Sequence, residues 1–398
     1  MTDWHLARGF RFAGLHCGLR PDPDRCDLAL AVSDVPATAA GVFTQNRVRA
    51  APVRVCQERV PSDDVRGVVI CSGNANACTG RRGLDDARRM TAVAAEAVGC
   101  REAQMLVCST GVIGHHLPMP VIEGGIRAAV PQLAPTAVAL DALAHAILTT
   151  DTRIKVATRA LRLNDGELRL TGVAKGAAMI GPNMATMLAF VFTDAAVPPP
   201  ALTPLLRQVA AKTFNCVSVE GHTSTNDTLL VLANGQSKCA PLQGERLAQF
   251  GEALTAVCAD LARAIASDAE GAAHLVTIDV EGTRDDADAR RVAKAVAESA
   301  LVKTAIYGAD PNWGRIVSAA GYCGVDFEEA DLSLWVGDLL LYDKGAPQPF
   351  DAAAASAYLK GEREIRLRLR FTLGDGRCRF WTCDLTDEYI RLNADYTT

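Results

Sequence analysis

The sequence predicts a mixed α/β protein with helices packed against sheets. Three observations predict it. Apolar runs of strand length recur, longer stretches with helical spacing alternate with them, and one C-terminal stretch alternates strictly between apolar and charged residues. In chain order, Val68, Val69, Ile70 and Cys71 read as a buried strand and residues 84–98 as a helix. Met105, Leu106, Val107 and Cys108 make the next strand, followed by a helix over 136–148. A strand over 187–192 leads to Pro198, Pro199 and Pro200, a local break before a helix over 202–213. The clearest helix covers 245–268, where Leu247, Phe250, Leu254, Val257, Leu261 and Ile265 form one apolar stripe at three- and four-residue spacing. A strand over 275–280 and a helix over 285–302 follow. Finally, Ile365, Leu367, Leu369 and Phe371 alternate with Arg366, Arg368 and Arg370, as in a half-exposed strand. Gly374-Asp375-Gly376 is expected to turn that strand into a hairpin partner over 378–383.

With 398 residues and 49% hydrophobic content, the chain can bury a substantial core. The net charge of -5 is mild, and Lys/Arg-rich blocks are missing, which argues against nucleic acid as a partner. No run of some twenty apolar residues occurs, and the N-terminus lacks a secretory pattern, so a cytoplasmic protein without a membrane span is expected. The thirteen cysteines are scattered, and no pair has the C-x-x-C spacing. Reduced, buried thiols are expected, with no metal site, and His115-His116 reads as a solvated turn.

Signatures for phosphate loops, dinucleotide folds, serine hydrolases and zinc peptidases are absent. One run is unusually rich in small and polar residues: Lys175-Gly176-Ala177-Ala178-Met179-Ile180-Gly181-Pro182-Asn183-Met184-Ala185-Thr186-Met187-Leu188. Gly176, Gly181 and Pro182 make it an irregular loop, and an apolar strand follows at once. A threonine hydroxyl at that junction can attack its own preceding carbonyl, and hydrolysis of the resulting ester frees the α-amine of Thr186. Such an amine has a pKa of roughly 7.7–8.0 and lies beside the hydroxyl it would activate. The residues alone leave two readings open, a self-cleaving nucleophile or an ordinary threonine leading into a strand.

This run resembles the processing site of the ornithine acetyltransferases, also called glutamate N-acetyltransferases, whose usual form is close to K-G-S-G-M-I-x-P-N-M-A-T-M-L. Further blocks resemble the same family: Gly41-Val42-Phe43-Thr44, Ser72-Gly73-Asn74-Ala75-Asn76-Ala77-Cys78-Thr79-Gly80 and Ser109-Thr110-Gly111-Val112-Ile113-Gly114. So do Thr223-Ser224-Thr225-Asn226-Asp227-Thr228, Gly308-Ala309-Asp310-Pro311-Asn312-Trp313-Gly314-Arg315 and Asn393-Ala394-Asp395-Tyr396-Thr397-Thr398. The match runs in order along nearly the whole chain. Two departures stand out: Ala177-Ala178 replace the usual Ser-Gly, and Glu220-Gly221-His222 stand where the family usually has Asp-Gly-Asp.

The resemblance implies layered sheets sandwiched between helices, the DmpA/ornithine-acetyltransferase-like fold. It also implies self-cleavage between Ala185 and Thr186 into an α chain, 1–185, and a β chain, 186–398, that stay together as an α2β2 heterotetramer. Thr186 is then the nucleophile that takes acetyl from N-acetylornithine and passes it to glutamate, in arginine biosynthesis. Thr110 and Gly111 supply the oxyanion hole. Thr149, Lys175, Thr186, Glu270, Asn393 and Thr398 contact substrate. No cofactor is implied, although acetyl-CoA is a possible co-substrate in bifunctional relatives. Two alternatives are an autocleaved N-terminal-nucleophile aminopeptidase or amidase, which passes its acyl group to water, and an uncleaved binding relative.

Overall fold

The computed structural model describes residues 4–181 and 187–395. Within it, β1 (Phe10–Leu15), β2 (Leu28–Phe43), β3 (Ser62–Asn74), β4 (Met105–Val112), β5 (Lys155–Leu163), β6 (Gly166–Lys175), β7 (Leu188–Thr193) and β8 (Thr228–Ala233) form a first sheet. Its order is β4-β3-β2-β8-β7-β6-β5, with β1 paired to β2. The pairs β3/β4 and β7/β8 are parallel and the other neighbours antiparallel. The long β2 serves three neighbours: Leu28 to Val32 pair with both β1 and β3, Ala37 and Ala39 also pair with β3, and Thr38 to Phe43 pair with β8.

Both faces of this sheet are covered. Ala189, Val191, Leu229 and Val231 point to the helices Pro199–Lys212 and Gly244–Ser267. Phe190, Phe192, Leu230 and Leu232 point the other way, to β1 and the helix Ala137–Ala146. Val69, Cys71 and Val107 pack beneath the helices Gly80–Val98 and Met119–Ala129. Burial on two faces removes alternation, and that explains why these strands read as continuous apolar runs. The helical stripe also holds, since Phe250, Leu254, Val257, Leu261 and Ile265 are buried and Leu247 packs at the margin. Pro199 and Pro200 occupy the first positions of their helix, where no amide donor is needed.

A second sheet contains β9 (Leu275–Thr283), β10 (Ser333–Val336), β11 (Leu339–Asp343), β12 (Ala346–Pro347), β13 (Glu364–Arg370) and β14 (Gly376–Cys383), in the order β12-β11-β10-β13-β9-β14. Ile365, Leu367 and Leu369 face the helix Asp286–Glu298, while Arg366 and Arg370 are exposed, as the alternation predicts.

Two expectations are corrected here. β13 and β14 do not pair as a hairpin, because β9 lies between them, parallel to one and antiparallel to the other. The connecting segment crosses the end of β9, where the amides of Leu373 and Gly374 donate to the Gly282 carbonyl at 2.8 and 3.0 Å. Gly282 has φ +80°, and a Cβ there would meet the Phe371 oxygen at 2.0 Å, so the crossing requires glycine. The helix expected over 285–302 stops at Glu298 and restarts at Ala300, because Ser299 turns extended and its hydroxyl caps the Val302 amide.

The cysteines are free thiols; Cys56, Cys71 and Cys258 are fully buried, but Cys78 is exposed, unlike the expectation for the set. No helix among the described residues is long and apolar enough to cross a membrane.

Phe192 is fully buried, with its ring 5.2 Å from those of Phe10 and Phe12. Phe192→Ala is therefore expected to cost about 3–5 kcal/mol of folding free energy, read by denaturant unfolding monitored by circular dichroism.

Candidate active site

The ladder register places Phe43, Thr228, Leu188 and Lys175 in one row across β2, β8, β7 and β6. Loops leaving this edge enclose a cavity of ≈ 190 Å³. Thr110, Gly111, Thr149, Lys175, Glu270 and Asn393 all line it. Sequence positions from 110 to 393 thus converge on one site. Ala185, Thr186 and Thr398 lie outside the described residues.

Thr110 and Gly111 come from the end of β4, where pairing with β3 is irregular around Gly73 and Asn74. Gly111 has φ +131°, and a Cβ would sit 2.3 Å from the Gly73 carbonyl carbon, so the backbone crosses here too closely for any side chain. Such a bulge at a strand end re-aims backbone groups away from the ladder.

Asn226 fixes this edge to the start of β8. Its amide donates to Ala75 O at 2.6 Å and Ser109 O at 2.8 Å. Thr44, just past β2, joins in through its hydroxyl to Ser224 O at 2.6 Å and its amide to Asp227 O at 2.9 Å. Four of the sequence blocks therefore meet at one place. The block from Gly308 to Arg315 does not reach the cavity. There Asn312 caps the helix Trp313–Gly321, and Trp313 stacks on Tyr342 at 5.4 Å.

Lys175 is nearly fully buried and donates to the Thr149 hydroxyl at 2.5 Å. Asp151 lies 3.9 Å from it and accepts from Lys155 at 2.7 Å and from the Gly176 amide at 2.6 Å. Lys155 also binds Asp268 at 2.6 Å. Burial lowers the Lys175 pKa, with Lys155 adding repulsion and Asp151 opposing both. Burial alone would raise the Asp151 pKa, but Lys175 and Lys155 outweigh it and hold the carboxyl well below the usual range. The sequence pointed to Thr149 and Lys175. It gave no sign of Lys155 or Asp268, whose roles depend on a contact between residues 113 positions apart.

At the other side, the Glu270 amide donates to Ala177 O at 3.0 Å, and its carboxylate accepts from Asn393 Nδ2 at 3.2 Å. Asn393 lies on the helix Asp387–Asp395, which is anchored where the Thr386 hydroxyl donates to Gly271 O at 2.6 Å. Gly271 has φ +66°, and a Cβ would strike the Tyr389 amide at 2.5 Å.

Glu220 also lines the cavity. Its Oε1 accepts from the Ile180 amide at 2.5 Å, while Oε2 has no hydrogen-bond partner among the described residues. In return, the Val219 amide donates to Ile180 O at 2.8 Å, so the departure segment clasps the loop ahead of 182–186. Burial, with help from Glu270 and against Lys303, pushes the Glu220 carboxyl up to about 8. In the unfolded chain it ionises near ~4.3. Between these values the native state binds more protons, so the stability carried by the neutral carboxyl is complete below pH ~4 and lost as pH rises through about 8. Glu220→Gln, an isosteric neutral group, is expected to melt above wild type at pH 8 and level with it at pH 4.5, measured by calorimetry.

Comparison with known proteins places this chain in a family. The ArgJ family model matches residues 11–398. The arginine biosynthesis bifunctional protein ArgJ of Geobacter sulfurreducens is 46% identical over 98% of this chain and 99% of its own. ArgJ 1 of Nostoc sp. is 43% identical over the full length of both. Among solved structures, the arginine biosynthesis bifunctional protein argJ from Bacillus halodurans is 40% identical, with a TM-score of 0.51, over 52% of this chain and 98% of that one. With a family model and full-length relatives in agreement, this chain belongs to the ArgJ family.

Proposed function

We propose that the protein moves an acetyl group from N2-acetyl-L-ornithine to L-glutamate in arginine biosynthesis, through an acetyl ester on Thr186. The observation that carries this reading is the convergence of Thr110, Gly111, Thr149, Lys175, Glu270 and Asn393 on one cavity. Self-cleavage between Ala185 and Thr186 first frees the α-amine of Thr186. That amine draws the proton from its own hydroxyl, which attacks the acetyl carbonyl. Backbone donors at Thr110 and Gly111 stabilise the oxyanion, a contribution on the order of a hundredfold in rate for each donor. Ornithine leaves, and the glutamate amine attacks the ester in turn. One small cavity suits this ping-pong order, since the two amino acids use it in succession.

The charges in the cavity fit amino-acid substrates. Lys175 is a buried cation suited to an α-carboxylate, and the Glu270–Asn393 pair on the facing side suits an amine. That pairing favours an amino-acid acceptor over the water acceptor of an aminopeptidase or amidase. Thr398 completes the substrate contacts in this proposal. The fragments 1–185 and 186–398 stay together as an α2β2 assembly in the cytoplasm. One fact supports a divided chain: the Bacillus halodurans chain aligns over 98% of its length yet covers only 52% of this one.

The test is to incubate purified protein with N-acetylornithine and glutamate, with acetyl-CoA as donor in a separate arm. N-acetylglutamate and ornithine are expected in equal amounts, together with acetylated Thr186 by mass spectrometry. Acetate released at the same rate without glutamate would instead establish an amidase. Thr186→Ala is expected to stay as one full-length band and to transfer nothing. Lys175→Met is expected to raise the KM for both amino acids by roughly ten- to a hundredfold, the loss of one charge-assisted bond.

A further inference from the structure

Cutting the chain and transferring an acetyl group need different bases. In the cut protein, the free amine of Thr186 accepts the hydroxyl proton. In the uncut chain that nitrogen is an amide, with no basic lone pair, so another group must take the proton. On the proposed processing at Ala185–Thr186, the base must therefore lie elsewhere in the fold.

The other carboxyls around the cavity are engaged. Asp151 and Asp268 hold lysines, Glu270 holds Asn393, and Glu220 holds the Ile180 amide. Asp227 differs from all of these. It is fully buried, and neither of its carboxyl oxygens closes a hydrogen bond among the described residues. The groups that bear on it are neutral: the hydroxyl of Ser224 on its own loop, the amide of Met187 ahead of β7, and the hydroxyl of Thr44 beyond β2, whose proton goes to Ser224 O. Its backbone is clamped, with Asp227 O accepting from the Thr44 amide at 2.9 Å and the Thr228 amide donating to Met187 O at 3.1 Å. Met187 follows Thr186 directly in the chain, and consecutive Cα atoms are ~3.8 Å apart.

We propose that Asp227 is the general base of self-cleavage. Its carboxylate takes the proton from the Thr186 hydroxyl as that oxygen bonds to the Ala185 carbonyl carbon. The C–N bond then breaks, and Asp227 returns the proton to the leaving nitrogen, which becomes the α-amine. Water hydrolyses the ester, giving the Ala185 carboxylate and restoring the hydroxyl. Burial pushes the Asp227 carboxyl up to about 7, which suits a base working near neutrality.

The test follows conversion of freshly made full-length chain into its two fragments on denaturing gels, from pH 5 to 10. The wild-type rate is expected to rise with pH and level off above about 7. Asp227→Asn is expected to cut at least a hundredfold more slowly at pH 7, with a rate that keeps rising to pH 10 as hydroxide replaces the carboxylate. Asp227→Glu, which keeps a carboxyl, is expected to recover part of the rate. Cutting of Asp227→Asn within threefold of wild type would overturn the proposal. So would slow cutting with no dependence on pH, the mark of a merely structural role. If Asp227→Asn shows no cooperative melting, Asp227→Glu decides: a cut chain supports the assignment and an uncut one removes it. Wild-type chain that is never cut would count instead against processing at Ala185–Thr186 itself.

Discussion

The site depends on keeping charge buried without leaving it unpaired. Lys155 is fully enclosed and bridges Asp151 and Asp268, and Asp151 in turn faces Lys175. These two cations and two anions balance, and the exposed Arg153 approaches Asp268 at 3.8 Å from the solvent side. Loss of one member would strand its partner at a cost of about 3–5 kcal/mol. The cluster joins the start of β5, the end of β6 and the end of the helix Gly244–Ser267, and Glu270 lies two residues beyond Asp268. It therefore sets the distance between the cationic and the acidic side of the cavity.

A second, uncharged set of bonds closes the opposite wall. Asn226 spends both amide hydrogens on carbonyls of Ala75 and Ser109, and Thr44 holds the loop on which Asn226 sits. Each partner comes from a different strand end, so short polar residues do what a larger apolar core cannot do beside a water-accessible cavity. The density of Ser, Thr and Asn in these blocks follows from that requirement, because each buried loop amide and carbonyl needs a partner.

Much of this was legible in the sequence, for reasons that differ by element. Strands such as β7 and β8 are buried on both faces and show as unbroken apolar runs. The helix Gly244–Ser267 shows as a stripe because only one side of it is covered. Strand partners were not legible: the glycine turn over 374–376 suggested a hairpin, yet β9, far earlier in the chain, occupies the space between the two strands. The break at Ser299 was hidden because the apolar spacing continues across it and only the cap marks the restart. Thr110, Gly111 and Lys175 stood in family blocks, whereas Glu270 lies in none of them and was named through the resemblance alone. Lys155 and Asp268 belong to no such block, and a lysine opening a strand carries no local mark of burial. Asp227 stood inside a recognised block, but its isolation is a property of three dimensions.

The row across the first sheet has one more consequence. Lys175 and Leu188 are partners in the β6/β7 ladder, so the two sides of the 182–186 segment are fastened to each other by the sheet. The proposed break in the covalent chain within that segment would leave the contacts among the described residues in place, and the folded molecule would hardly register it. The unfolded state registers it fully, since the two pieces are then free to diffuse apart. Refolding becomes a bimolecular event, and apparent stability becomes a function of protein concentration. Such a molecule persists by the slowness with which it opens, and its useful lifetime is governed by an unfolding rate more than by an equilibrium constant.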